Sequence, residues 1–311
     1  MMDTHRPDHG CLQPVADHVW AWIQPDGSWW INNAGLIGDP AGDILVDTCA
    51  TEQRTTALLN AVAAQRGRLD LRYAVNTHLH GDHTYGNSLL PQTTTIIGHE
   101  NMRRGLDADT VINGCPPLWT PVPDWGAVSK RLPTLTFRSS LTLHGRATTV
   151  EVVHPGYAAH TDGDAIAWLP QAGVLFAGDL LFHGVTPLVV TGSLDGARRA
   201  LDWIASYHAD TVVPGHGPVI AADELDRVLS AHRDYYDFVC RVGDAAVLAG
   251  VGPLTAARET NLGDFAHWPD SERIVLNLHR YIADHGGVRF SVRNAYADAL
   301  AYNKGPLTSS V

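Results

Sequence analysis

The chain has 311 residues, 45% of them hydrophobic, enough to bury a substantial core as one large domain or a domain with an appendage. Its formal charge of -11 argues against a protein that grips phosphate backbones, so nucleic acid is not an expected partner. The start MMDTHRPDHG has no basic stretch leading into an apolar one, no run of about 18 apolar residues occurs anywhere, and four scattered cysteines form no CxxC; export and a membrane span are not expected, and a reducing cytoplasm is.

In chain order, the apolar runs VWAWIQ (19–24), DILVD (43–47), RYAVN (72–76) and TTIIG (94–98) have strand length and end at Gly, Asp or Pro. Between the second and third, Leu58, Ala61, Val62 and Gln65 follow helical spacing, and the first three form an apolar stripe. Residues 106–133 hold five prolines and two tryptophans, a composition that propagates neither a helix nor a central strand and predicts an ordered loop beside a pocket. Strand signals return at TLTF (134–137), TTVEVV (148–153), DAIAWL (164–169) and GVLFAG (173–178). A helix follows, capped by Ser193, with Ala197, Ala200, Leu201 and Ile204 on one face, then a short TVV strand before PGHG. Beyond residue 221 two helical stripes dominate, Leu225, Val228, Leu229, Tyr236 and Val239 in one and Ile274, Leu278, Tyr281 and Ile282 in the other. The pattern is α/β over residues 15–220, with residues 221–311 as mainly helical cover on a single domain.

THLHGDH, residues 77–83, packs three histidines and an aspartate after the RYAVN strand, where α/β folds hold their sites. His78 and His80 alternate and point the same way on an extended chain; Asp82 and His83 follow Gly81, where the chain can turn. Two ligand pairs with different directions suggest two metal ions, and the nitrogen and oxygen donors suit Zn²⁺, with Fe and Mn also acceptable. His160 falls in a loop among small and polar residues, Asp179 ends an apolar strand right after Gly178, and His216 is held in the rigid frame PGHGP. An aspartate at the end of a buried strand is costly unless paired or metal-bound.

The ordered set HxHxDH, loop histidine, GD after a strand and PGHG resembles the metallo-β-lactamase superfamily. The resemblance implies an αββα sandwich with a helical C-terminal extension. It implies that His78, His80 and His160 bind one zinc and Asp82, His83 and His216 a second, with Asp179 bridging them. Asp82 and His183 are the residues expected to serve the chemistry itself, His183 as a proton donor or hydrogen-bond partner four residues past Asp179.

Several branches of that superfamily fit poorly: position 80 is histidine rather than a carboxylate, no flavodoxin-like tail follows, and the negative charge disfavours nuclease branches. The segments GSWWINNAGL, VNTHLHGDHTYGN, AHTDGD, LFAGDLLFHGVTPLV, VVPGHGPV and ALAYNKG, spread over about residues 15–305, are similar to those of bacterial aromatic polyketide cyclases of this fold. That resemblance implies a second-ring aldol cyclisation and hydrolytic release of a thioester from an acyl carrier protein. Trp29, Trp30, Trp119, Trp125 and Phe182 are then the expected pocket walls, and Arg103, Arg104, Lys130, Arg131 and Arg138 form the basic stretch that could receive an acidic carrier. A general dizinc thioester, ester or lactone hydrolase and a non-catalytic metal-binding regulator stay open as alternatives. Oligomeric state is also left open, a dimer included.

Overall fold

A computed structural model describes residues 10–311. Among them the strands are β1 (Cys11–Ala16), β2 (Val19–Ile23), β3 (Ala34–Ile37), β4 (Asp43–Val46), β5 (Leu71–Val75), β6 (Thr95–His99), β7 (Trp119–Thr120), β8 (Leu135–Phe137), β9 (Ser140–His144), β10 (Thr149–Val153), β11 (Ile166–Leu169), β12 (Val174–Phe182), β13 (Thr211–His216), β14 (Ile220–Ala221) and β15 (Leu307–Thr308). The helices are α1 (Glu52–Arg66), α2 (Gly81–Thr84), α3 (Glu100–Ala108), α4 (Leu194–Ala205), α5 (Ala222–Ala249), α6 (Pro253–Glu259), α7 (Arg273–His285) and α8 (Val292–Asn303).

One sheet runs β1-β2-β3-β4-β5-β6-β8 and the other β14-β13-β12-β11-β10-β9, with β7 and β15 pairing apart from both. Their facing sides share one apolar layer, Val19, Ile44, Val75 and Ile97 from the first against Val150, Val152, Phe176 and Val213 from the second. The outer face of the first sheet packs Leu36, Leu45 and Ile96 against Leu58, Leu59 and Val62 of α1. The outer face of the second packs Leu175, Ala177 and Val212 against α4, α5 and α7. The result is an αββα sandwich, and each fully buried Leu or Val in it contributes ~2 kcal/mol of transfer free energy.

Local chemistry agrees with these elements. Thr51 Oγ1 accepts from Arg54 N–H at the start of α1, and Gly67 closes that helix in the left-handed conformation. Ser193 caps α4 as its sequence predicts, accepting from Gly196 N–H. β4, β5, β6 and β8 are successively parallel, as are β12 and β13, so their carboxyl ends open towards one side.

One expectation needs revision. Asp179 is not at a strand end: β12 continues to Phe182, with register irregularities on both sides of Gly178. Gly178 is at φ +52, and a Cβ there would meet Thr77 Oγ1 at 2.6 Å, so the bulge that swings Asp179 inward needs glycine. The stretch 106–133 is largely irregular, as expected of an ordered loop beside a pocket: Asp109 and Val111 line the main cavity, and the two-residue β7 ties the stretch to β15 near the C-terminus. Gly81 is where the chain turns, as the sequence predicts. The chain redirects by entering the single turn α2, and Gly81 is required because a Cβ would lie 2.3 Å from the Tyr85 ring.

Candidate metal centre

β4 and β5 end side by side, and Asp47, the residue after β4, organises the turn that leaves β5. Its Oδ1 accepts from Thr77 N–H at 2.7 Å and its Oδ2 from the Thr77 hydroxyl at 2.7 Å and His83 Nδ1–H at 2.8 Å. Because the Thr77 proton goes to Asp47, its oxygen accepts from His78 Nδ1–H at 3.0 Å. His160 Nδ1–H donates to the Leu188 carbonyl at 2.7 Å, and His216 Nδ1–H to the carbonyls of Ile31 and Gly27 at 2.8 and 3.0 Å. A carbonyl can only accept, so the tautomers are forced and the Nε2 lone pairs of His78, His83, His160 and His216 face one another in the interior. His80 is reversed: its Nδ1 lies 2.8 Å from His160 Nε2 and 3.2 Å from His78 Nε2, while its Nε2 meets Thr191 Oγ1 at 3.3 Å.

Two groups result, His78, His80, His160 and Asp179 in one and Asp82, His83 and His216 in the other, the donor atoms of each lying within 4.8 Å of one another. Asp179 reaches both. Its Oδ2 is 3.3 Å from His160 Nε2 and 3.3 Å from His216 Nε2, and its Oδ1 is 3.1 Å from His83 Nε2. Asp82 Oδ2 is 3.3 Å from His216 Nε2. Gly215 makes room for the bridging carboxylate, since a Cβ there would fall 1.9 Å from Asp179 Oδ1.

This donor set fits divalent cations. His83 Nε2 and Asp179 Oδ1 are buried and lack hydrogen-bond partners although they face each other, and converging imidazole lone pairs repel unless a cation lies between them. The electrostatics agree. Burial pushes His160 down to about 3, and burial together with neighbouring His83 pushes His78 well below the usual imidazole range, so this group offers neutral nitrogens. In the other group burial is overcome: Asp179 and Asp82 lift His216 to about 9, and Asp179, Asp82 and Asp47 lift His83 well above its ordinary value. Burial would raise Asp179, but His216, His83, His78 and His160 hold it well below the carboxylate range. The second group thus attracts positive charge strongly, and a proton takes that role where no metal is bound. All seven ligands expected from the sequence meet here as two metal-binding clusters.

The centre forms the floor of a cavity of about 950 Å³, its open mouth included. Trp29, Trp30 and Phe182 line it as expected, joined by Tyr85, Leu188 and Val190, and by Arg273, Val292 and Tyr296 from the C-terminal helices. Phe182 stacks on the His216 ring with centroids 5.2 Å apart, holding a ligand on one side while walling the cavity on the other. Trp119 and Trp125 do not reach the cavity. They pack behind Trp30, at 5.2 and 4.8 Å between centroids, because the Trp30 ring already covers that wall.

His183 is also displaced from the expected place. β12 ends at Phe182, and His183 turns into a separate cleft with Cys11, Asp26 and Gly217, its Nδ1 3.1 Å from the Pro218 carbonyl. The basic stretch, too, is largely spent within its own loop. Arg131 donates to the carbonyls of Leu90 and Thr94, Lys130 to those of Asp107 and Asp109, Arg103 to that of Pro133, Arg138 pairs with Glu100, and Arg104 bonds Asn101. These contacts tie the loop together, while Arg104, Lys130 and Arg138 remain exposed at its surface. Sequence reasoning missed Asp47, although it ends an apolar strand, the same signal that singles out Asp179. Tyr85, Arg273 and Tyr296 carry no local signal, since tertiary packing alone brings them here.

Comparison with known proteins agrees with this architecture. Residues 27–216, more than half of the chain, match the family described as the metallo-beta-lactamase superfamily. A "Beta-lactamase-like protein 2 homolog" of Caenorhabditis elegans is 28% identical over 208 residues, 66% of this chain and 60% of that protein. The chain therefore spans only about 60% of that relative's length. Two solved structures share the fold: a metallo-beta-lactamase from Pontibacter korlensis (TM-score 0.58, 20% identity, 73% of this chain and 98% of that one) and the DIM-1 metallo-beta-lactamase (TM-score 0.57, 18% identity, 74% and 98%). The matched stretch ends at His216, the last of the seven ligands in the chain, and leaves α5 to α8 outside it. With the fold and both His/Asp clusters in agreement, the chain belongs to the metallo-beta-lactamase superfamily, with two clusters placed to hold a dinuclear metal site.

Proposed function

We propose that this protein hydrolyses the thioester of a poly-β-ketone acyl chain and directs aldol closure of an aromatic ring at the same centre, as a polyketide cyclase and thioesterase. The observation that carries this reading is the aromatic cavity whose floor is the dinuclear site: broad apolar walls suit a flat, ring-forming chain and bring its carbonyls over the metal ligands. Zinc is the proposed metal, and two such cations, when bound, supply Lewis acidity and acidify water near neutral pH.

The chain's own residues supply the rest. Asp82 borders both the cavity and its cluster, and although burial would raise its carboxyl, His83 and His216 keep it below the usual range. It therefore stays ionised and can take a proton from an acidic methylene between two carbonyls. Trp29 is held in the wall by its Nε1–H, which donates to Glu272 Oε1 at 2.7 Å, and the aromatic walls exclude water from the folded chain. Delivery on an acyl carrier protein in the cytoplasm belongs to this reading, with recognition through the acyl chain rather than through the Arg103 to Arg138 stretch.

The test is to supply the metal-loaded protein with a carrier-bound poly-β-ketone and identify products by mass spectrometry. A cyclised free acid is expected. Fast turnover of simple acyl thioesters with only linear products would replace this reading with that of a general thioester hydrolase.

A further inference from the structure

The cavity walls are chemically one-sided. Outside the metal ligands, the side-chain acceptors beside the wall are engaged: Asp109 accepts from the Tyr85 hydroxyl at 2.7 Å and from Val111 N–H at 2.9 Å, and Glu272 accepts from Trp29 Nε1–H at 2.7 Å. The donors are not all engaged. Tyr296 lines the cavity, and its hydroxyl takes no hydrogen-bond partner among the described residues. Trp30 Nε1 and Arg273 Nε also lack partners, but they are buried behind the wall surface, which leaves the Tyr296 hydroxyl as the donor open to a ligand. Arg273 is 2% exposed; its other nitrogens reach the Thr186 carbonyl at 2.7 Å and Asp270 at 2.7 Å, and its guanidinium lies 4.5 Å from the Trp29 ring centroid. A hydroxyl donor presented from an apolar wall gains most from a ligand that brings an acceptor to it.

We propose that the cavity selects an acyl chain rich in hydrogen-bond acceptors and poor in donors, and that Tyr296 is the residue that recognises one of its carbonyl or enolate oxygens. The inference rests on the acyl-chain reading above and adds the feature of the chain that is recognised. Burial keeps the Tyr296 phenol protonated, raising it despite the opposing charge of Arg273, so it donates rather than accepts. Tyr296 and Arg273 lie on α8 and α7, beyond the residues 27–216 that carry the shared fold, so selectivity is supplied by a part of the chain separate from the metal centre.

The test compares two ligands of one shape, naphthoylacetone and butylnaphthalene, titrated into the metal-loaded full chain and its Tyr296→Phe variant by quenching of tryptophan fluorescence. Phe keeps the ring contacts with Trp29 and Trp119, and metal content serves as the control for folding. Naphthoylacetone can also reach the metals, but equally in both proteins, so the ratio between them isolates the hydroxyl. Tyr296→Phe is expected to weaken naphthoylacetone by about tenfold and leave butylnaphthalene unchanged. No weakening, or equal weakening of both ligands, overturns the proposal. Thioester hydrolysis by the wild-type chain is measured separately: its absence alongside a Tyr296 effect would count against the function and not against the recognition.

Discussion

The floor and the walls of the cavity are built on opposite principles. In the floor nearly every polar atom is oriented by a neighbour: Asp47, Thr77 and backbone carbonyls set the histidine tautomers, and Asp179 spans both groups. In the walls, apolar rings dominate and several donors stand unmatched. The floor is made by strand ends and tight turns between the two sheets, the walls by Trp-bearing loops together with α7 and α8. The difference teaches that metal binding is encoded in the floor, and on the proposed reading it leaves ligand choice to the walls. Changes in the floor should alter metal binding and turnover together, whereas changes in the walls should alter which ligand is held.

The largest effect tests whether both clusters work as one floor. Asp82→Ala should remove the carboxylate of the second cluster, lower bound metal from two ions towards one, and reduce turnover by roughly 10³-fold, within the range that loss of a metal's charge stabilisation permits. Metal analysis and kcat on the same preparation check it. Full activity in that variant would sink the dinuclear arrangement.

A smaller effect tests the layer beneath. Asp47→Asn keeps the shape but weakens the acceptor that orients both Thr77 and His83, so metal affinity should fall by about 10- to 100-fold, in keeping with other residues that orient ligands. Competition against a fluorescent chelator measures this, and unchanged affinity would mean that the turn α2 alone aims His83.

The legibility of the sequence divides along the same line. The floor is readable because four of its ligands cluster within seven residues and Asp179 and His216 stand beside glycine on or at the end of apolar strands, while His160, in a loop between Ala159 and Thr161, is recognised only as part of the ordered set. The αββα layout comes from the resemblance, while composition and periodicity reach only strands alternating with helices. Gly81 and Asp179 are assigned to the right site for incomplete reasons, because neither the turn of α2 nor the bulge at Gly178 leaves a periodic signature. Tyr296 is 214 residues from Asp82, which lines the same cavity, and no local pattern relates two such positions; their meeting depends on how α8 packs against α7. Charge clustering in the basic stretch likewise says nothing about which carbonyls those side chains will meet, such as those of Leu90 and Thr94 for Arg131.

The electrostatic contrast between the clusters gives a prediction in pH. In metal-free protein His216 is raised from 6.5 to about 9, because Asp179 and Asp82 outweigh its burial. A folded-state value above the unfolded one means the stabilisation is complete below about 6.5 and is lost as pH rises through about 9, amounting to ~3 kcal/mol. Urea unfolding of chelator-treated protein should therefore show a lower midpoint at about pH 10 than at about pH 8, where the depressed His78 and His160 no longer contribute, and metal-loaded protein should not follow, because the cations replace the proton. A metal-free midpoint that stays level or rises would show that the second cluster does not attract charge as its geometry implies.

The smallest expected effect is the most direct challenge to the boundary of the cavity. His183 follows Phe182 at the end of β12, close in sequence to Asp179, yet its ring faces the cleft shared with Cys11 and Gly217 and meets the Pro218 carbonyl. Phe182 occupies the intervening position, stacked on His216 and lining the cavity, so the backbone would have to turn over to bring His183 inside. His183→Ala should accordingly leave metal content unchanged and kcat within about twofold, while loss of one partly exposed hydrogen bond costs ~1 kcal/mol of stability. A tenfold or greater fall in kcat with both metals retained would place a proton donor outside the cavity as drawn. Because Phe182 holds His216 on the floor while facing the walls, that result would require β12 to shift and the floor to move with it.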